Sequence, residues 1–264
     1  MLVAAVDTST LTLSCALVDL APGTAEVRAA LAERPALPAG GHGPRLPGIL
    51  TELLDRVGRS VRDLGGFAVG LGPGSFTGLR IGLATWKGLA YARRRPLAGA
   101  SGLAAMALEA APLAPEGALL VPLLDARKGE VYAGFYRVRA GVPEAAAPEV
   151  VLPPELLAAR TGEAGAARGP AAGPARGAET AAGATQALGF GEGYERHRAI
   201  LGGGLSELEG APATPAAAAV ARLAAPRLLG AAFDLQALFA LEPRYLRPSE
   251  AEVKFPNGLP VAGR

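Results

Sequence analysis

One strand–acid–turn–strand unit occurs twice in the chain, and this repeat most constrains the fold. The run 2–7 (Leu-Val-Ala-Ala-Val-Asp) lines up with 120–125 (Leu-Val-Pro-Leu-Leu-Asp), and, continued without a gap, residues 13–18 lie over 131–136. An offset of 118 positions in 264 residues implies two halves built on one plan. Coincidence between two short apolar runs is the competing explanation. The length itself accommodates two domains, at roughly 100–200 residues each.

Other elements follow from local patterns. Residues 24–34 read as a third strand after the first hairpin. The apolar positions Leu46, Ile49, Leu50, Leu53, Leu54 and Val57 recur at helical spacing, which predicts a helix over about 45–58. A strand over 67–71 leads into a glycine-rich turn and a helix over about 77–94 that ends in Arg93-Arg94-Arg95, cations suited to a helix C-terminus. A short strand at 97–99 and a helix near 101–111 come next. Residues 143–150 read as a linker, and Pro153-Pro154-Glu155 opens a short helix. From 163 to 185 nearly every residue is Ala, Gly, Pro, Arg or Glu, a low-complexity stretch. Residues 215–241 read as one or two Ala-rich helices interrupted at Pro226. The expected division is a first domain over 1–101, rejoined by the helix 215–241, a second over 102–211, and an extended tail over 242–264.

Rare residues exclude chemistry. A single cysteine, Cys15, allows neither an intramolecular disulfide nor a Cys-based zinc site. The two histidines, His42 and His197, are 155 positions apart, so no HxxxH or HExxH pair exists. His42 on a Gly/Pro loop reads as a base or as a solvent-facing residue, and His197 as part of a charged helix face. No apolar run of 18 residues is present and no basic leader precedes the first strand, so a cytoplasmic protein with no membrane segment is expected. The net charge of +2 gives no broad basic field for nucleic acid.

Two motifs carry candidate chemistry. Asp7-Thr8-Ser9-Thr10 could hold a Mg²⁺-bound phosphate through its carboxylate, hydroxyls and turn amides, or could be an ordinary Asx/ST turn. If the repeat holds, Asp125 faces Asp7 from the second copy. Residues 72–82 (Gly-Pro-Gly-Ser-Phe-Thr-Gly-Leu-Arg-Ile-Gly) place Gly72, Gly74 and Ser75 at a helix N-terminus, where free amides and the dipole favour an anion. The alternative is a tight strand–helix turn with Ser75 or Thr77 as cap. No Walker lysine is present and GxGxxG is not matched. Gly78, Gly82 and Gly88, with Ala84 and Ala90, leave a small-residue face that another backbone can approach, within this chain or from a second one.

The segment 72–82 resembles the hallmark of the TsaB (YeaZ) family of tRNA threonylcarbamoyladenosine biosynthesis proteins. Asp7-Thr8-Ser9-Thr10, His42 followed by Arg45-Leu46, residues 125–132 (Asp-Ala-Arg-Lys-Gly-Glu-Val-Tyr) and 243–247 (Pro-Arg-Tyr-Leu-Arg) resemble further family segments in the same order. The resemblance implies an α/β, two-domain actin-like (ASKHA, ribonuclease H-like) fold with an internal duplication. It implies no catalysis by this chain alone. It implies pairing with the catalytic relative TsaD through the helices at 45–58 and 77–94, with Leu46, Ile49, Leu50, Leu53, Gly78, Ile81, Gly82 and Thr85 as contacts. A charge at Gly82 or Leu50 is then expected to abolish pairing without unfolding. Also implied are assistance from the ATPase TsaE, a homodimer in isolation, and contact with tRNA only through the complex. No cofactor is expected. ATP/Mg enters only at a partner interface or in a vestigial site of Asp7, Thr8, Ser9, Gly72, Gly74, Ser75 and Asp125. The competing reading is an actin-like ATPase or phosphotransferase, with the glycines at 189–193 or 202–204 against the adenosine.

Overall fold

Strand β1 (Leu2–Asp7) is apolar on both faces, so it can only sit between two layers of helix, at the centre of a sheet. In the computed structural model, which describes residues 1–33, 45–166 and 187–247, that is its place. β2 (Leu13–Ala21) and β3 (Thr24–Glu33) extend the sheet by antiparallel hairpins on one side. β4 (Gly66–Gly70) and β5 (Leu97–Ala100) extend it in parallel on the other, giving the order β3-β2-β1-β4-β5. Helices α1 (Leu46–Arg56) and α2 (Phe76–Arg93) cover one face.

The second sheet repeats this plan. β6 (Leu119–Asp125), β7 (Val131–Arg139), β8 (Val142–Leu152), β9 (Ala187–Phe190) and the two-residue β10 (Ser206–Glu207) are ordered β8-β7-β6-β9-β10. The senses match strand for strand: two antiparallel hairpins, then two parallel neighbours. The duplication expected from the sequence is therefore present in the topology, and each sheet with its helices is here called a lobe. α3 (Gly102–Ala110) follows β5 and packs on β6 and β7. A 3₁₀ turn and α4 (Leu157–Ala166) follow β8, and α5 (Glu192–Leu201) follows β9. α6 (Ala217–Leu228) returns to the first lobe and covers its other face, and α7 (Leu235–Ala240) packs beside α2.

Three readings need correction. Residues 143–150 are not a linker but most of β8; prolines are tolerated there because β8 is an edge strand. Pro226 does not interrupt its helix. It sits in the last turn of α6, where its missing N–H costs a single bond to the carbonyl four residues earlier, and the helix runs on to Leu228. The third concerns the repeat. In each lobe the face covered by the helix after the fourth strand can be matched: Leu13, Cys15 and Leu17 in the first, Val131, Ala133 and Phe135 in the second. On that basis β2 and β7 keep the expected spacing. But Ala4 and Val6 then match Val121 and Leu123, one position short of it. The registers agree, since Asp7 pairs with Ser14 whereas Asp125 pairs with Val131. The counterpart of Asp125 is thus Thr8, and Asp7 points to the opposite face. His42 and most of 163–185, with the tail beyond 247, lie outside the described residues.

Candidate functional site

The two hairpin turns, the N-terminus of α2 and the tail meet in a cleft between the lobes, a cavity of about 1130 Å³. On the first-lobe side the chain leaves β1 in an Asx turn: the Ser9 amide (2.9 Å) and hydroxyl (2.6 Å) both donate to Asp7 Oδ1. The Thr8 hydroxyl donates to the Gly78 carbonyl at 2.8 Å. A β-carbon on Gly78 would stand 2.1 Å from the Thr8 carbonyl oxygen, and one on Gly82 2.3 Å from Thr8 Oγ1. The Ser9 carbonyl accepts from the Ser75 amide at 2.6 Å. Ser75, not Thr77, caps α2, its hydroxyl accepting from the Gly78 amide. Gly78 and Gly82 thus admit the turn of their own chain, while a β-carbon on Gly88 would meet nothing within 4 Å.

The second-lobe turn is built differently. Asp125 Oδ1 accepts from the Arg127 amide at 2.9 Å, and its carboxylate faces the guanidinium groups of Arg127 (4.0 Å) and Arg196 of α5 (3.5 Å). Arg127, Lys128 and Gly129 are consecutive left-handed residues (φ 62°, 53° and 78°). Two non-glycine residues in that region store backbone strain. The cleft is lined by six cations, Arg80, Arg127, Lys128, Arg196, Arg244 and Arg247, against three acids, Asp125, Glu192 and Glu195. Phe76 and Tyr245 stack with ring centres 5.0 Å apart, and the Arg80 guanidinium lies 3.9 Å above Phe76.

Of the expected nucleotide or anion residues, Ser9, Gly74, Ser75 and Asp125 line the cleft, while Asp7, Thr8 and Gly72 are buried behind it. A Mg²⁺-phosphate held between two facing carboxylates does not fit. Asp7 is fully buried on the face toward Gly70 and Gly102, and Asp125 already faces two arginines. The glycines at 189–193 pack against the second lobe's own chain: a β-carbon on Gly191 would stand 2.3 Å from the Leu123 carbonyl oxygen. Among the described residues no cluster of three or more His, Cys, Asp or Glu side chains could hold a metal. No described helix is long and apolar enough to cross a membrane.

Burial divides the residues expected at a partner interface. Leu46, Ile49, Leu50 and Leu53 are 0–2% exposed, locked into the first lobe's core with Trp86 and Phe67. Gly78 and Gly82 are buried against Thr8, which leaves Ile81 and Thr85 half-buried at the edge. The outer face of α2 carries Thr77, Ala84, Gly88 and Tyr91. The cationic lining was not singled out from the sequence, although Arg80, Arg127, Lys128, Arg244 and Arg247 all fall within segments that carry the resemblance. No spacing rule brings residues 80, 127, 196 and 244 together: Arg127 and Arg196 meet at Asp125 within the second lobe, and the return of the tail sets Arg244 and the Tyr245 partner of Arg80 in the same cleft.

A duplicated mixed α/β fold with a cleft between its lobes is the actin-like class. The family model of TsaD, the tRNA N6-adenosine threonylcarbamoyltransferase, matches residues 34–255. A solved Pseudomonas aeruginosa structure, described as similar to the peptidase YeaZ, is 30% identical, covers 93% of this chain and 99% of its own, and superposes with a TM-score of 0.67. The tRNA threonylcarbamoyladenosine biosynthesis protein TsaB of Escherichia coli is 36% identical over 60% of this chain and 64% of its own length. That of Bacillus subtilis is 32% identical over 56% and 61%. The matched region is thus less than two thirds of either curated relative. The chain belongs to the TsaD-type family, on its TsaB (YeaZ) branch.

Proposed function

We propose that this chain acts in tRNA threonylcarbamoyladenosine biosynthesis as a non-catalytic partner of a TsaD-type threonylcarbamoyltransferase, with tRNA reached only through the assembly. The observation that carries the reading is the state of the duplicated turns. The acid of the first is sealed inside the lobe, and the acid of the second is neutralised by arginines, so no paired carboxylates serve a phosphate. The sequence adds only two distant histidines, with no HxxxH pair. The relatives' names supply the pathway. The partner's seat on this chain is the outer face of α2, where Ile81, Ala84, Thr85, Gly88 and Tyr91 form a shallow small-residue stripe. A β-carbon on Gly88 would meet nothing within 4 Å, so a second helix can lie close there. The same stripe serves a homodimer when the partner is absent, and a TsaE-type ATPase joins the assembly.

The test is threonylcarbamoyl transfer to tRNA by purified TsaD, with and without this chain. Transfer that requires the chain, with none from the chain alone, supports the reading; transfer that ignores it refutes the reading. Gly88→Glu, on open surface, is expected to remove the stimulation and leave the melting temperature unchanged.

A further inference from the structure

Among the described residues the backbone crosses between lobes at two places. β5 passes into α3 at Ser101, where the Gly102 amide donates to the Gly72 carbonyl at 2.9 Å. The return runs from Ala213, whose carbonyl accepts from the Glu192 amide, to Ala217, whose amide donates to the Ser14 hydroxyl at 2.9 Å. Two crossings make a hinge, and relative motion of the lobes is then the default.

Residues 244–247 oppose that motion by alternating between lobes. The Arg244 amide donates to the Leu71 carbonyl at 2.8 Å, in the first lobe. The Arg244 side chain reaches the second lobe, 3.4 Å from Glu149 of β8. The Tyr245 ring stacks on Phe76 and its hydroxyl accepts from Arg80 Nε at 3.0 Å, back in the first lobe. The Arg247 side chain pairs with Glu130 and donates to the Ala126 carbonyl (3.0 Å), both on the second-lobe turn. Glu149 is a fixed anchor. Its side chain is 6% exposed and accepts from the Tyr136 hydroxyl at 2.6 Å and from the Ser101 hydroxyl at the first crossing.

We propose that residues 244–247 are a strap that sets the opening of the cleft. Separating the lobes as rigid bodies must break the Arg244–Glu149 and Arg247–Glu130 contacts, or the Leu71 and Phe76–Tyr245 contacts, in one step, because four residues carry all of them. The strap also forms one wall of the cleft. Its release therefore exposes the cationic lining, and its closure restricts what enters. The strap is independent of which partner the α2 stripe receives.

The test uses the full chain, diluted in excess unlabelled chain so that only distances within one molecule are read, with nitroxide labels at Thr77→Cys on α2 and Glu195→Cys on α5, both exposed and in different lobes. Cys15 is fully buried and takes no label. Pulsed electron resonance is expected to give a narrow distance distribution. Arg244→Ala with Arg247→Ala should broaden it and shift it to longer distance. Releasing Glu149 can itself disturb the fold, so Glu130→Arg is the second variant. It frees only Arg247, on a half-exposed pair, and Glu130→Arg with Arg247→Glu should restore the narrow distribution. An unchanged distribution in Glu130→Arg and in the double alanine variant, with unchanged circular dichroism, would overturn the strap.

Discussion

The two hairpin turns occupy the same place in two sheets of identical strand order, yet they are opposite in construction. In the first, Thr8 points into α2, and Gly78 and Gly82 leave room for it and nothing else. In the second, the matching position is Asp125: α5 also brings a glycine, Gly193, against the Leu123–Leu124 backbone, but it sets Arg196 beside the strand-end side chain. One turn is locked by backbone contact around a buried strand-end side chain. The other is charged, open to the cleft and held in left-handed backbone at Arg127 and Lys128. The difference shows that a duplicated fold conserves the pairing of strands while the residue at the strand end decides whether a lobe offers packing or charge.

Exchanging the two residues tests this most severely. Thr8→Asp puts an acid in a fully buried position beside two glycines, and should cost about 3–5 kcal/mol, the range for an uncompensated buried charge. Leu50→Glu and Gly82→Asp belong with it. The sequence alone recommends them as surface probes of pairing, but burial makes them unfolding mutations, visible as a collapse of the melting temperature before any partner is added.

Gly78→Ala should cost about 1–3 kcal/mol through overpacking against Thr8. Gly129→Ala, in the open turn with nothing within 4 Å, should cost only its left-handed backbone, about 1–2 kcal/mol. Denaturant midpoints that reversed this order would break the contrast between a packed and an open turn.

A third test is confined to alkaline pH. Cys15 of β2 matches Ala133 of β7 by face, so only the first lobe buries a thiol there. Burial pushes that thiol from its ordinary 9.0 up to about 12. The folded state therefore holds its proton over a range where the unfolded chain loses it. Its contribution is complete below pH 9 and is lost as pH rises toward 12. Cys15→Ala should flatten the fall in stability across that window, followed by chemical denaturation at fixed temperature.

The smallest effect belongs to the reciprocal exchange. Asp125→Thr releases Arg127 and Arg196, whose side chains are 66% and 65% exposed, and a threonine hydroxyl can still hold the turn. The expected cost is about 1 kcal/mol or less. A loss as large as that of Thr8→Asp would make the two turns equivalent after all.

Much of this was legible beforehand. The helix α1 is written in its apolar spacing, α2 in the Ser75 cap and its closing arginines, and the duplication in two apolar runs ending in aspartate. β8 was hidden because prolines and alanines at an edge strand look like a linker. The direction of α1 was hidden for another reason. An apolar stripe states that a face is buried but not whether its own sheet or a partner buries it, and here Phe67, Val69 and Trp86 do so.

The chain's own residues determined the elements of the first sheet and their order, the opening hairpin of the second, and the glycine-lined approach of α2. Tertiary structure alone decided which strand positions are equivalent and what the cleft contains. β1 and β6 are buried on both faces, so their side chains carry no inside–outside alternation from which a register can be read. A shift of one residue costs nothing in apolar pattern, yet it turns a carboxylate from one face to the other. Only packing against α2 and α5 fixes that choice, and it leaves Asp7 inside the protein and Asp125 in the cleft.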